Sequence, residues 1–245
     1  MGFTVKNTRE AGDAAEFISS AILDKLQSGK NVLFFISGGS CIPVAVQAAK
    51  IISRQANKNL TVMLADERYG SIDHFNSNYF QLMEKGFSLP NAKLVPILTG
   101  YDRDTTSQKF NKNLEEELKK ADYKIGLFGI GADGHTAGIL PDSVAAHSQD
   151  LACSYDTPVF SRITITPKMI EKLDEAVVWA QGEDKWRALK NLLASPVDEL
   201  RPREKDIPAR NAFSIADAGG DILKQPTQIL KKVPLLTIFT DYKKI

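Results

Sequence analysis

Short apolar runs that alternate with amphipathic stretches along the whole chain limit its fold more than any other feature of the sequence. A run that is apolar at every position, such as Val32–Ile36, is typical of a strand covered on both faces, and apolar residues at three- and four-residue spacing indicate helices. The candidate strands are Val32–Ile36, Leu60–Ala65, Ile125–Ile130, Ile163–Thr166, Ala176–Ala180 and Leu235–Phe239, and the helical patterns lie at 14–26, 42–55, 76–86, 104–120 and 183–194. This alternation predicts an α/β fold with an open, mostly parallel sheet and helices on both faces.

The length and composition predict one globular domain that spans residues 1–245. Hydrophobic residues make up 43% of the chain and charged residues 25%, which is the balance of a protein with a substantial core. The 31 Lys and Arg residues nearly balance the 30 Asp and Glu residues, so the chain has no net charge that would hold a polyanion. Nucleic acid is therefore not an expected partner, and any bound anion should be small.

The sequence also predicts a cytoplasmic protein that does not bind membranes. No apolar stretch approaches the ~20 residues that cross a bilayer, and the first residues contain no hydrophobic signal core. Cys41 and Cys153 are the only cysteines and form no paired motif, so we expect two free thiols.

Polar clusters directly follow four of the candidate strands. These clusters are Ser37–Ser40, Asp66–Arg68, Gly131–Thr136 and Gly182–Lys185. The carboxyl ends of parallel strands lie at one edge of an open sheet, and that edge is where ligands bind. We therefore expect the four clusters to meet in space.

The cluster Ser37–Ser40 favours a phosphate-binding loop. Gly38 and Gly39 allow the backbone to turn sharply and bring its N–H groups, together with Ser40, close to an oxyanion. The helix that follows would direct its positive end at the same place. Considered alone, a tight turn without a ligand explains the two glycines equally well.

Arg68 and Lys185 favour the phosphate interpretation, because a dianion bound by neutral amides alone would be poorly neutralised. The alternatives are a structural ion pair of Arg68 with Asp66 or Glu67, and a solvated helix face for Lys185. Arg162 opens another candidate strand and is a further candidate of the same kind.

The glycine-rich segment Gly129–Ala137 presents an acid, Asp133, and an imidazole, His135, on a loop that cannot be helical. A histidine side chain can take a proton from water near neutral pH, so His135 is the candidate general base. The other two histidines, His74 and His147, lie in segments without such a glycine frame, and we expect them to be structural or solvated.

Several other chemistries lack their motifs. The sequence contains no HExxH, no paired cysteines and no histidine-rich cluster for a metal, no GxxxxGK[ST] for a nucleoside triphosphate and no GxSxG for a serine hydrolase. Cys41 adjoins the candidate phosphate loop, but no histidine is next to it in the sequence. We therefore interpret it as a packing residue.

The ordered motifs resemble those of the 6-phosphogluconolactonases, within a wider group that includes glucosamine-6-phosphate deaminase. They are Ser37–Ser40, Asp66–Arg68, Ser77–Tyr79, Gly129–Ala137 followed by Pro141, Arg162–Thr166, Gly182–Lys185 and Asp241. Deaminases tend to have Tyr where Arg68 stands, whereas the stretch from His135 to Pro141 is similar to the His-Thr-Ala-Ser-Leu-Phe-Pro of lactonases. The resemblance therefore favours the lactonases and implies a modified Rossmann-like fold (NagB/RpiA/CoA-transferase-like).

The resemblance further implies hydrolysis of 6-phosphogluconolactone to 6-phosphogluconate, a step of the oxidative pentose phosphate pathway, without a metal or organic cofactor. In this hypothesis the glycine loop, Arg68 and Lys185 hold the phosphate while His135 activates a water. Asp133 would orient the imidazole, and either Asp66 or Asn78 would hold sugar hydroxyls.

Two other functions stay open. One is an isomerase or deaminase acting on an amino-sugar phosphate, in which Asp66 abstracts the proton. The other is a non-catalytic sugar-phosphate sensor related to the effector domains of transcription regulators, although no helix-turn-helix precedes the first predicted strand.

We expect a monomer or small homo-oligomer. The charged stretch Leu200–Lys205 predicts a solvated loop, and the role of residues 196–226 is not predicted.

Overall fold

The structure, a computed structural model, describes residues 3–55, 57–194 and 221–243. Over these residues the chain forms ten strands and seven α-helices. The strands are β1 (Phe3–Asn7), β2 (Val32–Ile36), β3 (Leu60–Leu64), β4 (Asp66–Arg68), β5 (Lys93–Val95), β6 (Tyr123–Gly129), β7 (Ala152–Asp156), β8 (Ser161–Ile165), β9 (Glu175–Ala180) and β10 (Leu235–Thr240). The helices are α1 (Ala11–Gln27), α2 (Ile42–Ile52), α3 (Asn78–Glu84), α4 (Arg103–Lys120), α5 (Val144–His147), α6 (Pro167–Ile170) and α7 (Trp186–Leu193).

Seven strands form the main sheet in the order β1-β10-β9-β6-β2-β3-β5, and every neighbouring pair in it is parallel. Every residue of β2 and β9 is buried, which requires cover on both faces of the sheet. Helices α1 and α2 supply buried residues such as Ile18, Ile22 and Ala48 to this core. The predicted open, mostly parallel α/β fold is confirmed.

A second, antiparallel sheet has the order β4-β8-β7. The sequence predicted a strand at Ile163–Thr166, and the structure places it in this small sheet as β8. The stretch Asp66–Arg68 was predicted only as a polar cluster after a strand, and it forms β4. A three-residue polar strand such as β4 forms only because it pairs with β8, since its own sequence pattern does not differ from that of a loop.

Ala65 is the point where the chain passes from one sheet to the other. Its N–H donates to the carbonyl of Ile36 in the main sheet at 2.9 Å, and its carbonyl accepts from the N–H of Ile165 in the small sheet at 2.9 Å. Asp66 and Arg68 follow directly, so the two sheets together determine where these side chains lie.

The sequence analysis did not predict strands β1, β5 and β7. β1 and β5 are short, lie at the two edges of the main sheet and carry exposed polar residues, so they lack the continuous apolar pattern of the central strands. The helical pattern at 183–194 is confirmed, although its first turn, Glu183–Lys185, is a 3-10 turn that precedes α7. The predicted loop Leu200–Lys205 lies outside the described residues. None of the described helices is both long enough and apolar enough to cross a membrane.

Candidate active site

A cleft of about 400 Å³ opens where strands β2, β3, β6 and β9 end. Each of the four predicted clusters contributes to its wall. The contributing residues are Ser37–Ser40, Asp66 with Arg68, Gly129–Ala132 with His135, and Asp184 with Lys185, joined by Asn78, Ala137 and Arg162. The structure thus brings all the predicted site residues together at the cleft except Asp133, which adjoins it through His135.

Asp133 and His135 form a hydrogen-bonded pair across the turn at Gly134. Oδ1 of Asp133 lies 2.6 Å from Nδ1 of His135 and also accepts from the backbone N–H of His135 at 3.1 Å. The hydrogen bond from His135 is the main reason that the pKa of Asp133 lies below its usual range. Because Nδ1 is occupied by a carboxylate, Nε2 is the ring nitrogen left for chemistry.

Gly131 makes room for this imidazole. A Cβ at position 131 would lie 2.0 Å from Nδ1 of His135 and 2.6 Å from Oδ1 of Asp133, so no other residue fits without moving the pair. The N–H of Gly131 donates to the carbonyl of His135 at 2.9 Å and closes the loop. The glycines that suggested a backbone-exposing loop therefore have a specific steric function here.

Two arginines lie against the aromatic ring of Phe160. The guanidinium of Arg68 is 5.3 Å and that of Arg162 is 5.8 Å from the ring centroid, within the range of cation–π contacts. Nη1 of Arg68 donates to the carbonyl of Asn76 at 2.8 Å, and Nη1 of Arg162 lies 3.6 Å from Asp66. Asp66 thus forms its ion pair with Arg162. The alternative prediction, a structural ion pair between Arg68 and Asp66, is not what the structure shows.

Asp66 is buried in the wall of the cleft. Burial raises the pKa of its carboxyl group above the usual range, although Arg162 and Arg68 act in the opposite direction. Its backbone carbonyl accepts from Nδ2 of Asn78 at 2.9 Å. A Cβ added at residue 38 would lie only 2.0 Å from Oδ1 of the same Asn78. The loop can therefore approach Asn78 this closely only because residue 38 is a glycine.

Lys185 lies in the 3-10 turn that follows Gly182, at the end of β9. Asp241, at the end of the neighbouring β10, holds this turn: its Oδ1 accepts from the N–H of Gly182 at 3.2 Å and from Nε1 of Trp186 at 3.3 Å. The predicted motif residue Asp241 thus acts on the site from a second strand end.

Unpartnered polar groups gather at the cleft. Six buried side-chain atoms in the described part of the chain have no hydrogen-bond partner, and four of them belong to cleft residues: Ser37 Oγ, Arg68 Nε, Asn78 Oδ1 and Arg162 Nε. A buried polar group without a partner costs about 1 to 3 kcal/mol. Their concentration at one place is typical of a surface that completes its hydrogen bonds with a ligand.

The lining of the cleft does not include Cys41, His74 or His147. The Cys41 thiol is fully buried, and burial raises its pKa to about 12, so it is protonated and inert at neutral pH. Both cysteines are free, as predicted. His74 hydrogen-bonds the carbonyl of Arg68 through Nε2, at 2.9 Å, and so has a structural contact next to the site.

The sequence analysis did not single out two polar residues of the cleft, Ser37 and Asp184, or Phe160, against whose ring two of the cleft arginines lie. Ser37 and Asp184 stand inside predicted clusters, so their positions carried a signal that was not used. Phe160 carried none, because its importance arises only from the two guanidinium groups that lie against it.

Comparisons with known proteins show the family to which the chain belongs. The family model described as glucosamine-6-phosphate isomerases/6-phosphogluconolactonase matches residues 6–218. A 6-phosphogluconolactonase of Chlamydia pneumoniae is 27% identical over 147 residues, which are 57% of this chain and 56% of that protein. A Haemophilus influenzae protein of the same name is 25% identical over 212 residues, covering 83% and 91%.

The fold is similar to that of solved lactonase structures. A crystal structure of a 6-phosphogluconolactonase from Shewanella baltica superposes with a TM-score of 0.74 at 18% identity, covering 98% of both chains. The modified Rossmann-like, NagB/RpiA-like fold expected from the sequence is confirmed.

The buried carboxyl of Asp66 generates a prediction about pH and stability. Because its pKa is raised in the folded state, the folded protein binds this proton more tightly than the unfolded chain, so the contribution to stability is present at low pH and is lost as pH rises through the raised pKa. Asp66→Asn removes that loss. We expect the melting temperature of the variant to rise relative to that of the wild type as the pH increases from about 4, the ordinary pKa of an aspartate, through the raised pKa of Asp66, measured by thermal denaturation. A constant difference between the two proteins over this range would contradict the assignment.

Proposed function

The chain belongs to the family of glucosamine-6-phosphate isomerases and 6-phosphogluconolactonases, and from that premise we propose that it hydrolyses 6-phosphogluconolactone to 6-phosphogluconate. One observation supports this most: a single cleft joins a carboxylate-bound imidazole to three cationic side chains, Arg68, Arg162 and Lys185. The similar Chlamydia pneumoniae and Haemophilus influenzae proteins, both named 6-phosphogluconolactonase, support the same choice.

In this proposal the phosphate of the substrate binds between the glycine loop and the cations. Arg68 and Lys185, which both line the cleft, neutralise the dianion with charge-assisted hydrogen bonds. The N–H groups of Gly38, Gly39 and Ser40 supply neutral donors. Asp66, Asn78 and Arg162 then hold the sugar hydroxyls.

The phosphate anchor places the lactone carbonyl beside His135. Nε2 of His135 takes a proton from a water molecule as the water oxygen bonds to C1, and Asp133 stabilises the imidazolium through Nδ1. The tetrahedral intermediate then collapses with cleavage of the bond between C1 and the ring oxygen. The imidazolium returns the proton to that oxygen, so the enzyme is regenerated. The product carries a hydroxyl group and a carboxylic acid, which releases its proton to solvent and becomes a carboxylate.

General-base catalysis contributes roughly 10²- to 10⁴-fold in rate, and a lactone is already a reactive ester. Positioning by the phosphate adds an entropic advantage. We propose no metal or organic cofactor for this step, and we place the reaction in the cytoplasm and in the oxidative pentose phosphate pathway.

One feature of the site, the buried Asp66, supports an alternative function, that of the isomerase branch of the family. Asp66 lies in the cleft with a raised pKa, which suits a carboxylate that abstracts a proton from a sugar carbon. In that case glucosamine-6-phosphate and water would be converted to a ketose 6-phosphate and ammonia.

Two assays separate these functions. When 6-phosphogluconolactone is generated in situ, we expect trace protein to accelerate the formation of 6-phosphogluconate well above spontaneous hydrolysis. We expect no ammonia from glucosamine-6-phosphate. Ammonia release without lactone hydrolysis would transfer the assignment to the isomerase branch, and a protein that binds 6-phosphogluconate but turns over neither substrate would be a sensor.

His135→Ala tests the general base. We expect kcat to fall roughly 10²- to 10⁴-fold while KM changes little, because the imidazole acts in the transition state and the phosphate contacts stay in place. Steady-state kinetics with the lactone measures both constants. Normal turnover by this variant would remove His135 from its role.

Arg68→Ala tests the phosphate site. We expect the main effect on KM, with a rise of roughly tenfold or more, because an interaction with a remote phosphate that is equal in ground and transition states affects binding and not kcat. His74→Ala is the matched control next to Arg68, since the His74 side chain hydrogen-bonds the backbone carbonyl of Arg68. An equal rise in KM in both variants would mean that disturbance of the backbone near Arg68, and not loss of the guanidinium, weakens substrate binding.

A further inference from the structure

Glu67 lies between two residues of the cleft but does not line it. Its side chain is fully buried, and it points away from the sugar-phosphate site formed by Asp66 and Arg68 on either side. A buried carboxylate without a cation requires an explanation, because burying an unpaired charge is costly.

The four hydrogen-bond donors around Glu67 supply that explanation. Oε1 accepts from the backbone N–H of Arg68 at 2.7 Å and of Asn78 at 2.6 Å, and Oε2 accepts from Oγ of Ser77 at 2.9 Å and from the N–H of Tyr79 at 3.0 Å. Ser77 itself accepts from the N–H of Phe80 at 3.1 Å, so its own proton is directed to Glu67. All four partners donate, and only an ionised carboxylate accepts from all of them.

These bonds join strand β4 to the first residues of helix α3. Two cleft side chains bridge the same junction in opposite directions: Nη1 of Arg68, on β4, donates to the carbonyl of Asn76, and Nδ2 of Asn78, on α3, donates to the carbonyl of Asp66. Glu67 lies between these two bridges. Any change in the separation of β4 and α3 therefore moves both side chains at once.

We propose that Glu67 is a positioning residue for substrate binding, which holds β4 and α3 at the separation that places Arg68 and Asn78 in the cleft. This inference rests on the proposed function for the identity of the ligand. The contact between Asn78 and Gly38 extends the effect to the glycine loop, since Asn78 fills the space that a Cβ at position 38 would need.

Glu67→Gln tests the proposal, because the amide keeps the size of the side chain and turns an acceptor into a donor that faces other donors. We expect KM for the lactone to rise at least fivefold with kcat within threefold of the wild type. Calorimetry with 6-phosphogluconate should give a matching loss of affinity. In the Arg68→Ala background the same change should raise KM by a smaller factor than it does in the wild type, because one of the two side chains through which Glu67 acts is already absent.

Glu175→Gln is the matched control. Glu175 is also buried and accepts a hydrogen bond from the hydroxyl of Tyr123, but it begins β9 at the opposite end of the strand from the cleft. We expect it to lower the melting temperature with KM, kcat and ligand affinity unchanged. If Glu67→Gln does the same, the role of Glu67 is structural and the proposal is overturned.

Ser77→Ala covers the case in which Glu67→Gln does not fold. It removes one donor from Glu67 and leaves the carboxylate in place, so we expect a smaller rise in KM. An unchanged KM would overturn the proposal.

Calorimetry distinguishes failure of the proposed function from failure of the positioning role. A wild-type protein that binds 6-phosphogluconate without hydrolysing the lactone contradicts the function, whereas equal binding by wild type and Glu67→Gln contradicts the positioning role.

Discussion

Parallel pairing of the central strands is the constraint on which the site depends. β2 is joined to β3 on one side and to β6 on the other with their carboxyl ends aligned, Ile36 opposite Leu64 and opposite Leu127. β9 pairs with β6 in the same sense. Every loop that leaves these strands therefore begins at the same edge of the sheet. The glycine loop and His135 are about 100 residues apart in the sequence, but they follow adjacent strands and so lie close together in space.

The small antiparallel sheet adds what the main sheet lacks. It carries Asp66 and Arg68 on β4 and Arg162 on β8, with Arg68 opposite Arg162 in the register. Because the backbone of Ala65 bonds to both sheets, this layer cannot shift without breaking hydrogen bonds of the main sheet. The cationic side of the cleft thus has a fixed relation to the glycine loop at the end of β2.

The cleft is energetically unfavourable for the protein without a ligand. It contains a carboxyl group whose burial opposes ionisation, two guanidinium groups with unpartnered Nε atoms and an amide oxygen without a donor. Such arrangements lower stability and persist where binding or catalysis requires them. Apolar strands such as β2 and β9, in which every residue is buried, supply the stability that offsets this cost.

The sequence by itself determined the α/β class, the central strands and the four polar clusters, because apolar runs and glycine-rich breaks are local patterns that need no partner to be recognised. It also singled out His135 and Asp133, two residues apart, whose contact is decided within one turn. Only the tertiary structure decided that β4 is a strand, that Asp66 pairs with Arg162 and that Phe160 lies beneath two arginines. Each of these contacts joins residues that are distant in the chain or depends on a partner strand, and no local pattern carries that information.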